Sequence, residues 1–178
     1  MGSIEKAIYN RSERLLGADT MDVLAEKRVI IFGVGGVGSW CAESLVRSGV
    51  KHLTIVDSDR VCITNVNRQI MATMKTIGMV KVEALKERLL SINPKADITA
   101  MQKIYTESTA DEFGIEDYDY IIDAIDSLQD KALLILNACR TKAKFFSSMG
   151  AALKMDPTKR SERLYIAFSM LPIQYSVY

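Results

Sequence analysis

The sequence predicts an α/β protein built on a doubly wound, mostly parallel sheet. Short β-branched runs alternate with longer stretches of helical spacing along most of the chain. The strand-like runs are continuously apolar, the pattern of a sheet covered on both faces. A glycine-rich turn joins the first run to the helix after it. With 178 residues, 48% of them apolar, the chain can build one domain with a real core.

Residues 4–16 and 20–27 have amphipathic helical spacing, with Gly17 as the break, so 1–27 reads as an N-terminal helical part. The core of the domain is expected over 28–150. Arg28 to Phe32 (RVIIF) predicts the first strand. GVGGVG follows at once, and residues 36–48 predict a helix that stops at Gly49. His52 to Val56 (HLTIV) predicts a second strand ending in Asp57. Residues 61–72 are polar and mixed, and read as a functional loop or short helix. Residues 78–92 predict a helix whose broad apolar face carries Val80, Val82, Leu85, Leu89 and Leu90. A third strand follows at Asp97 to Met101, then a short helix over 106–114. Tyr118 to Ile122 predicts the fourth strand, ending at Asp123. Residues 128–143 predict another helix, and Lys144 to Phe146 the start of a fifth strand. The rhythm then breaks, and 151–178 reads as a partial or discontinuous C-terminal part of the same single domain, with residues missing near Lys159 and Arg160 as one explanation.

Composition narrows the function classes. A net charge of +1 carries no strongly basic field for nucleic acid, although a local patch is compatible with it. Cys41, Cys62 and Cys139 form no CxxC pair, which argues against a zinc site or a disulfide framework, and predicts reduced core thiols. His52, the one histidine, lies beside a predicted strand and is not expected to do chemistry. The N-terminus is charged and unlike a signal peptide. The longest apolar stretch, Leu164 to Ile173, is interrupted by Ser169 and Pro172 and falls short of the ~20 residues of a spanning helix. A soluble cytoplasmic protein is the expectation.

The chemistry-bearing signals begin at Gly33, Gly35, Gly36 and Gly38, between a strand and a helix. Gly33 permits the tight turn, Gly35 lets backbone N–H groups approach a phosphate, and Gly38 allows close helix–strand packing. The helix N-terminus adds partial positive charge aimed at the anion. Asp57 ends the second strand, where a carboxylate either accepts from ribose hydroxyls or caps its own loop. An NAD enzyme would share these features. The segment TNVNRQ, with Asn65, Asn67, Arg68 and Gln69, and Lys81 beyond it separate the readings. A dinucleotide has its pyrophosphate on the glycine loop already, whereas a triphosphate needs further cations. Arg68 and Lys81 either supply them or are solvated surface charges. Asp123 and Asp126 follow the fourth strand, where open α/β sheets bind ligands. A carboxylate there either holds Mg²⁺ against phosphates or, for Asp126, caps the next helix.

Taken together, GVGGVGSW, LTIVDSD, VCITNVNRQ, GMVKVEALKERLLSINP and IIDAIDS resemble the ubiquitin-activating-type adenylyltransferases. RSGVKHLTIVDSD, DAIDSLQDKALL and SSMGAALKMDPT are similar to the branch that dehydrates threonylcarbamoyladenosine in tRNA. The resemblance implies a Rossmann-like ATP-binding fold in which Gly33, Gly35, Gly36 and Gly38 cradle phosphates and Asp57 binds ribose. It implies that Asn65, Arg68 and Lys81 contact the triphosphate and that Asp126 positions Mg²⁺. Arg11, in YNRSERLLG, matches an arginine that reaches the partner subunit's ATP, implying a homodimer with shared sites. The implied reaction spends ATP to adenylate the threonylcarbamoyladenosine carboxylate of tRNA, after which the carbamoyl group closes a ring.

Other readings share parts of the pattern. Adenylation of the C-terminal glycine of a ubiquitin-like sulfur carrier uses the same ATP half, but commonly comes with two zinc-binding CxxC pairs. An NAD(P) oxidoreductase leaves NVNRQ, Lys81 and Asp126 without roles, and a non-catalytic nucleotide-binding module needs only the glycines. Sequence leaves open the tRNA surface and any sulfur-relay protein partner. Arg140, Lys142, Lys144, Lys159 and Arg160 either meet tRNA or form a solvated face.

Overall fold

A computed structural model of the chain describes residues 3–149. The C-terminal part over 151–178, with the Leu164–Ile173 stretch, Lys159 and Arg160, lies outside the described residues. Two helices, α1 (Ser3–Leu16) and α2 (Ala18–Ala25), lead into β1 (Arg28–Phe32) and α3 (Gly38–Ser48). Then come β2 (His52–Val56), α4 (Lys81–Ile92), β3 (Asp97–Met101), β4 (Tyr120–Asp123), α5 (Leu128–Ala138) and β5 (Lys144–Ser147). The five strands are parallel in the order β3-β2-β1-β4-β5. The chain therefore winds outward from β1 in one direction, returns, and winds out again from β4. The crevice at that reversal, beyond the C-terminal ends of β1 and β4, is where such sheets take ligands.

Strand alternation divides the core. Val29 and Ile31 face one layer with Leu53, Ile55, Val46, Val82, Leu85 and Leu89. Ile30 and Phe32 face the other with Val56, Tyr105, Phe113, Ile121 and Leu134. Phe32 meets Tyr105 and Phe113 edge-on, at ring centroid separations of 5.0 and 5.3 Å, contacts worth about 0.5–1.5 kcal/mol each beyond the area they bury. With both faces covered, the strands need no polar alternation, which is why the apolar runs read correctly as strands.

Several boundaries differ from the sequence reading by a residue or two, and three stretches differ for visible reasons. Helix α4 begins at Lys81 rather than 78, because residues 78–81 pair with the preceding loop. Val61 N donates to Met79 O at 2.8 Å, Gly78 N to Val61 O at 2.9 Å and Lys81 N to Asp59 O at 2.9 Å, and Val80 stays extended. Helix α5 ends at Ala138 rather than 143. The Thr141 hydroxyl turns back to Ala138 O at 2.8 Å and takes one of the free carbonyls of the last turn. The stretch over 106–114 holds only a short 3₁₀ turn, Ala110–Phe113. The cysteines correct a further expectation: Cys62 and Cys139 are exposed and Cys41 half-buried, all three free thiols. Cys139 caps the C-terminus of α5 instead of lying inside it. His52 starts β2 and pairs with Asp97 at 3.2 Å, at the opposite end of the sheet from the crevice.

Candidate active site

The glycine turn is built by close approach. Gly33 has φ +84°, and a Cβ there would lie 2.6 Å from Ala124 O; one on Gly38 would lie 1.8 Å from Gly33 O. No side chain fits at either place. The turn thus presses directly on the loop that follows β4, and Ala124 N donates to Phe32 O at 2.8 Å. Gly35 and Gly36 are different. Added Cβ atoms would meet only side chains, the Gln69 amide nitrogen at 3.7 Å and the Arg68 stem at 3.5 Å. The first pair of glycines serves packing, and the second leaves backbone open beneath two polar side chains.

Asp57 clamps the turn. Its Oδ2 accepts from Val34 N and its Oδ1 from Asp59 N, both at 2.9 Å. Loop capping and ribose binding are compatible here, since each carboxylate oxygen keeps a second lone pair. Lys81 opens α4 and is buried at 6% exposure, so it is not a solvated surface charge. Its ammonium pairs with Asp59 at 2.7 Å and lies 3.9 Å from Asp57. Arg68 is exposed, with its stem over Gly36 and its guanidinium donating to Thr64 O at 2.8 Å and Asn67 Oδ1 at 3.2 Å. Asn65 is buried and its Oδ1 accepts from Cys62 N at 2.9 Å, closing the 3₁₀ turn that carries the loop. Trp40 Nε1 ties the same loop to α3 by donating to Arg68 O at 2.9 Å.

The two aspartates after β4 have separate fates. Asp123 is fully buried and cannot reach a ligand: Lys131 Nζ and the Ser147 hydroxyl donate to its Oδ2, each at 2.6 Å. Its Oδ1 accepts from Ile125 N at 2.9 Å, which fixes the turn leading to Asp126. Asp126 is exposed and has no hydrogen-bond or ion-pair partner among the described residues. It does not cap α5. Ser127 is the N-cap, accepting from Asp130 N at 3.4 Å, so the Asp126 carboxylate is available.

The glycine turn thus meets Asp57 through Val34, Arg68 through Gly36 and the loop that leads to Asp126 through Ala124, and Lys81 lies beside Asp57. Arg11 does not join them. It is exposed on α1, and the neighbouring Tyr9 packs at the far end of α3, its hydroxyl donating to Val46 O at 2.7 Å. The glycine turn, the Arg68 and Lys81 cations and the free Asp126 carboxylate all lie within residues 9–162, which a model of the ThiF family covers. The chain belongs to the ThiF family.

Among ThiF-family relatives, the chain is 42% identical over 151 residues to the tRNA threonylcarbamoyladenosine dehydratase of Bacillus subtilis, covering 85% of this chain and 59% of that protein. It superposes on the crystal structure of the Escherichia coli tRNA N6-threonylcarbamoyladenosine dehydratase in complex with ATP with a TM-score of 0.84 and 36% identity, over 88% of this chain and 65% of that one. The Escherichia coli molybdopterin-synthase adenylyltransferase is more distant, at 31% over 150 residues, covering 83% of this chain and 59% of that protein. The chain thus spans about three fifths of the length of these curated relatives.

Sequence reasoning did not assign three parts of this ThiF-family site. Lys131 holds Asp123 from one turn into α5, a pairing that only the β4–α5 turn creates. Asp59 is the salt-bridge partner of Lys81, two residues past the predicted ribose carboxylate. Gln69 stood in the quoted TNVNRQ motif without a role, yet it is buried beside Gly35. Its neighbour Arg68 was the one available signal.

Proposed function

We propose that the chain adenylates the carboxylate of threonylcarbamoyladenosine in tRNA at the expense of ATP, and that ring closure by the neighbouring carbamoyl group then releases AMP. One observation carries this reading: Gly33 packs on Ala124, two residues before the free Asp126 carboxylate, while the Arg68 stem lies over Gly36 and Lys81 lies beside Asp57. The Bacillus subtilis and Escherichia coli dehydratases are more similar to the chain than the molybdopterin-synthase enzyme is. The adenylation core is taken as residues 28–150.

The backbone at Gly35 and Gly36 and the N-terminus of α3 face the phosphates, and Asp57 accepts from the ribose. Asn65, Arg68 and Lys81 offset the triphosphate charge, with Lys81 exchanging Asp59 for phosphate. The substrate carboxylate is ionised at neutral pH and is already a nucleophile. The protein's task is to orient it in line with the α-phosphorus and to stabilise charge on the phosphate oxygens as pyrophosphate leaves. A magnesium ion fits the residues present. No cluster of three acidic, His or Cys ligands exists among the described residues, and Asp126 is a lone free carboxylate, the arrangement of a cation that takes its remaining ligands from phosphates and water. When bound, it would neutralise phosphate oxygens.

A homodimer with shared sites is part of the proposal. Ile4, Ile8 and Leu15 are 55%, 41% and 83% exposed, and with Arg11 they follow one another on a single face of α1. An unburied apolar stripe with an arginine in its middle suits a second subunit whose ATP that arginine meets. Action in the cytoplasm follows from a tRNA substrate, and no described helix is long and apolar enough to cross a membrane. A sulfur-relay protein is a further partner under this reading.

The test is ATP turnover with tRNA that carries or lacks the threonylcarbamoyl group. AMP release and loss of one water mass from the nucleoside are expected only with the modified tRNA. AMP formation that requires instead a small ubiquitin-like protein would replace this function by sulfur-carrier activation. Mixing Arg11→Ala with Asp126→Ala protein should restore part of the activity that each lacks alone, and no recovery would remove the shared site.

A further inference from the structure

Gln69 is a buried residue beside the glycine turn whose side-chain polar atoms are left over. The side chain is 5% exposed. Its Oε1 is buried and, among the described residues, the only such side-chain oxygen or nitrogen without a hydrogen-bond partner. The amide nitrogen makes no hydrogen bond to the described residues either, and it lies 3.7 Å from where a Cβ on Gly35 would stand. The backbone on both sides is fixed: Gln69 N donates to Asn65 O at 2.9 Å, and Ala72 N donates to Gln69 O at 3.0 Å. The amide is therefore held over the glycine turn by its own loop.

A buried amide oxygen with no donor costs stability that an apolar side chain of the same length would not. Methionine would fill the volume without that cost. The residue makes physical sense if the other end of the amide has work that the folded protein alone does not show. The nitrogen brings two N–H donors to a glycine whose missing side chain leaves room for a ligand, and phosphate oxygens are acceptors only. The placement repeats that of its neighbour: Arg68 lies over Gly36 and Gln69 over Gly35, two consecutive side chains above two consecutive glycines.

We infer that Gln69 is a phosphate-binding residue, its amide nitrogen donating to the phosphate group of ATP seated on Gly35. This rests on the reading of the crevice as an ATP site and adds a neutral donor to its charged groups. The amide is pre-positioned at some cost to the empty protein and is satisfied on the donor side when the nucleotide arrives.

The variants Gln69→Met and Gln69→Glu test it, with thermal unfolding of the nucleotide-free protein and titration with ATP and with adenosine. Methionine should leave the unfolding temperature unchanged or raise it, weaken ATP binding about tenfold or more, and leave adenosine binding as in the wild type. Glutamate has the same shape but offers the phosphate an anion, and should bind ATP more weakly than methionine does. Unchanged ATP affinity in Gln69→Met overturns the inference. So does a loss of affinity that comes with a lower unfolding temperature or with an equal loss for adenosine, since the side chain would then be scaffold. If the wild-type protein itself fails to bind ATP, the reading of the crevice falls first, and that outcome is distinct from either.

Discussion

Alanine substitutions at the four glycines of the turn should separate into two classes, and the structure sets the size of each. A Cβ on Gly38 would stand 1.8 Å from Gly33 O and 3.0 Å from Gly33 C, more than 1 Å inside the closest approach a real Cβ makes. Both atoms belong to backbone, so no rotamer relieves the clash and α3 must move off β1. Overpacking of that kind costs roughly 1–3 kcal/mol, occasionally more. For a domain of this size each kcal/mol shifts Tm by about 2–4 °C, so a cost near the top of that range lowers it by roughly 6–12 °C. Gly33→Ala adds to a 2.6 Å backbone clash a φ of +84°, itself worth about 1–2 kcal/mol, and should be the worse of the two. Gly36→Ala meets only the flexible Arg68 stem at 3.5 Å. Its effect on stability should stay within about 0.5 kcal/mol, while the new methyl group stands where a phosphate would approach the backbone. Chemical and thermal denaturation of the nucleotide-free proteins, together with ATP titration, measure both effects. A Gly38→Ala protein as stable as the wild type, or a Gly36→Ala protein as damaged as Gly38→Ala, would refute the division into packing and ligand glycines.

Three further outcomes follow from individual contacts. Lys131→Met strands the fully buried Asp123 carboxylate and should cost about 3–5 kcal/mol in urea denaturation, with part regained on adding Asp123→Asn; a loss below 1 kcal/mol would mean that water reaches the pair. The Arg28 backbone N–H, aided by Lys27, holds the Asp119 carboxyl below its ordinary range despite partial desolvation. That stabilisation is present above the unfolded-state value and is lost as pH falls through the folded one, so Asp119→Asn should flatten the acid limb of stability against pH below about pH 4, and an unchanged limb would count against the contact. The Thr64 hydroxyl, with a smaller contribution from Lys81, holds the exposed Cys62 thiol below its ordinary range, whereas burial pushes Cys41 up. Iodoacetamide followed by peptide mass analysis should therefore label Cys62 well before Cys41, and the reverse order would contradict the local electrostatics.

Much of the architecture was legible because it rests on local patterns. Apolar runs such as RVIIF and HLTIV are strands in any sheet covered on both faces, and the glycine fingerprint needs only a strand before it and a helix after it. What escaped depends on contacts distant in sequence. The start of α4 moved to Lys81 because residues 59–61 compete for the backbone of 78–81, a pairing that helical periodicity cannot register. The aspartates of DAIDS looked interchangeable, yet one is locked by Lys131 and the other left free, and Ser127 took the capping role that Asp126 was equally suited to by type. By residue type Lys81 was open between a phosphate cation and a solvated surface charge, and its burial against Asp57 and Asp59 removes the second reading. Arg11 was placed at the site only by resemblance, and the fold leaves it exposed on α1. The cysteines were misjudged because free thiols usually follow the core, whereas Cys62 sits on the loop that the crevice requires.

Oxygen tracing follows the proposed adenylation at the bond it makes. With ¹⁸O in the carboxylate of the threonylcarbamoyl group, attack on the α-phosphorus followed by ring closure leaves one labelled oxygen on AMP and unlabelled pyrophosphate as the other product. Labelled inorganic phosphate with ADP, or AMP free of label, would show that the crevice activates the substrate by some other bond.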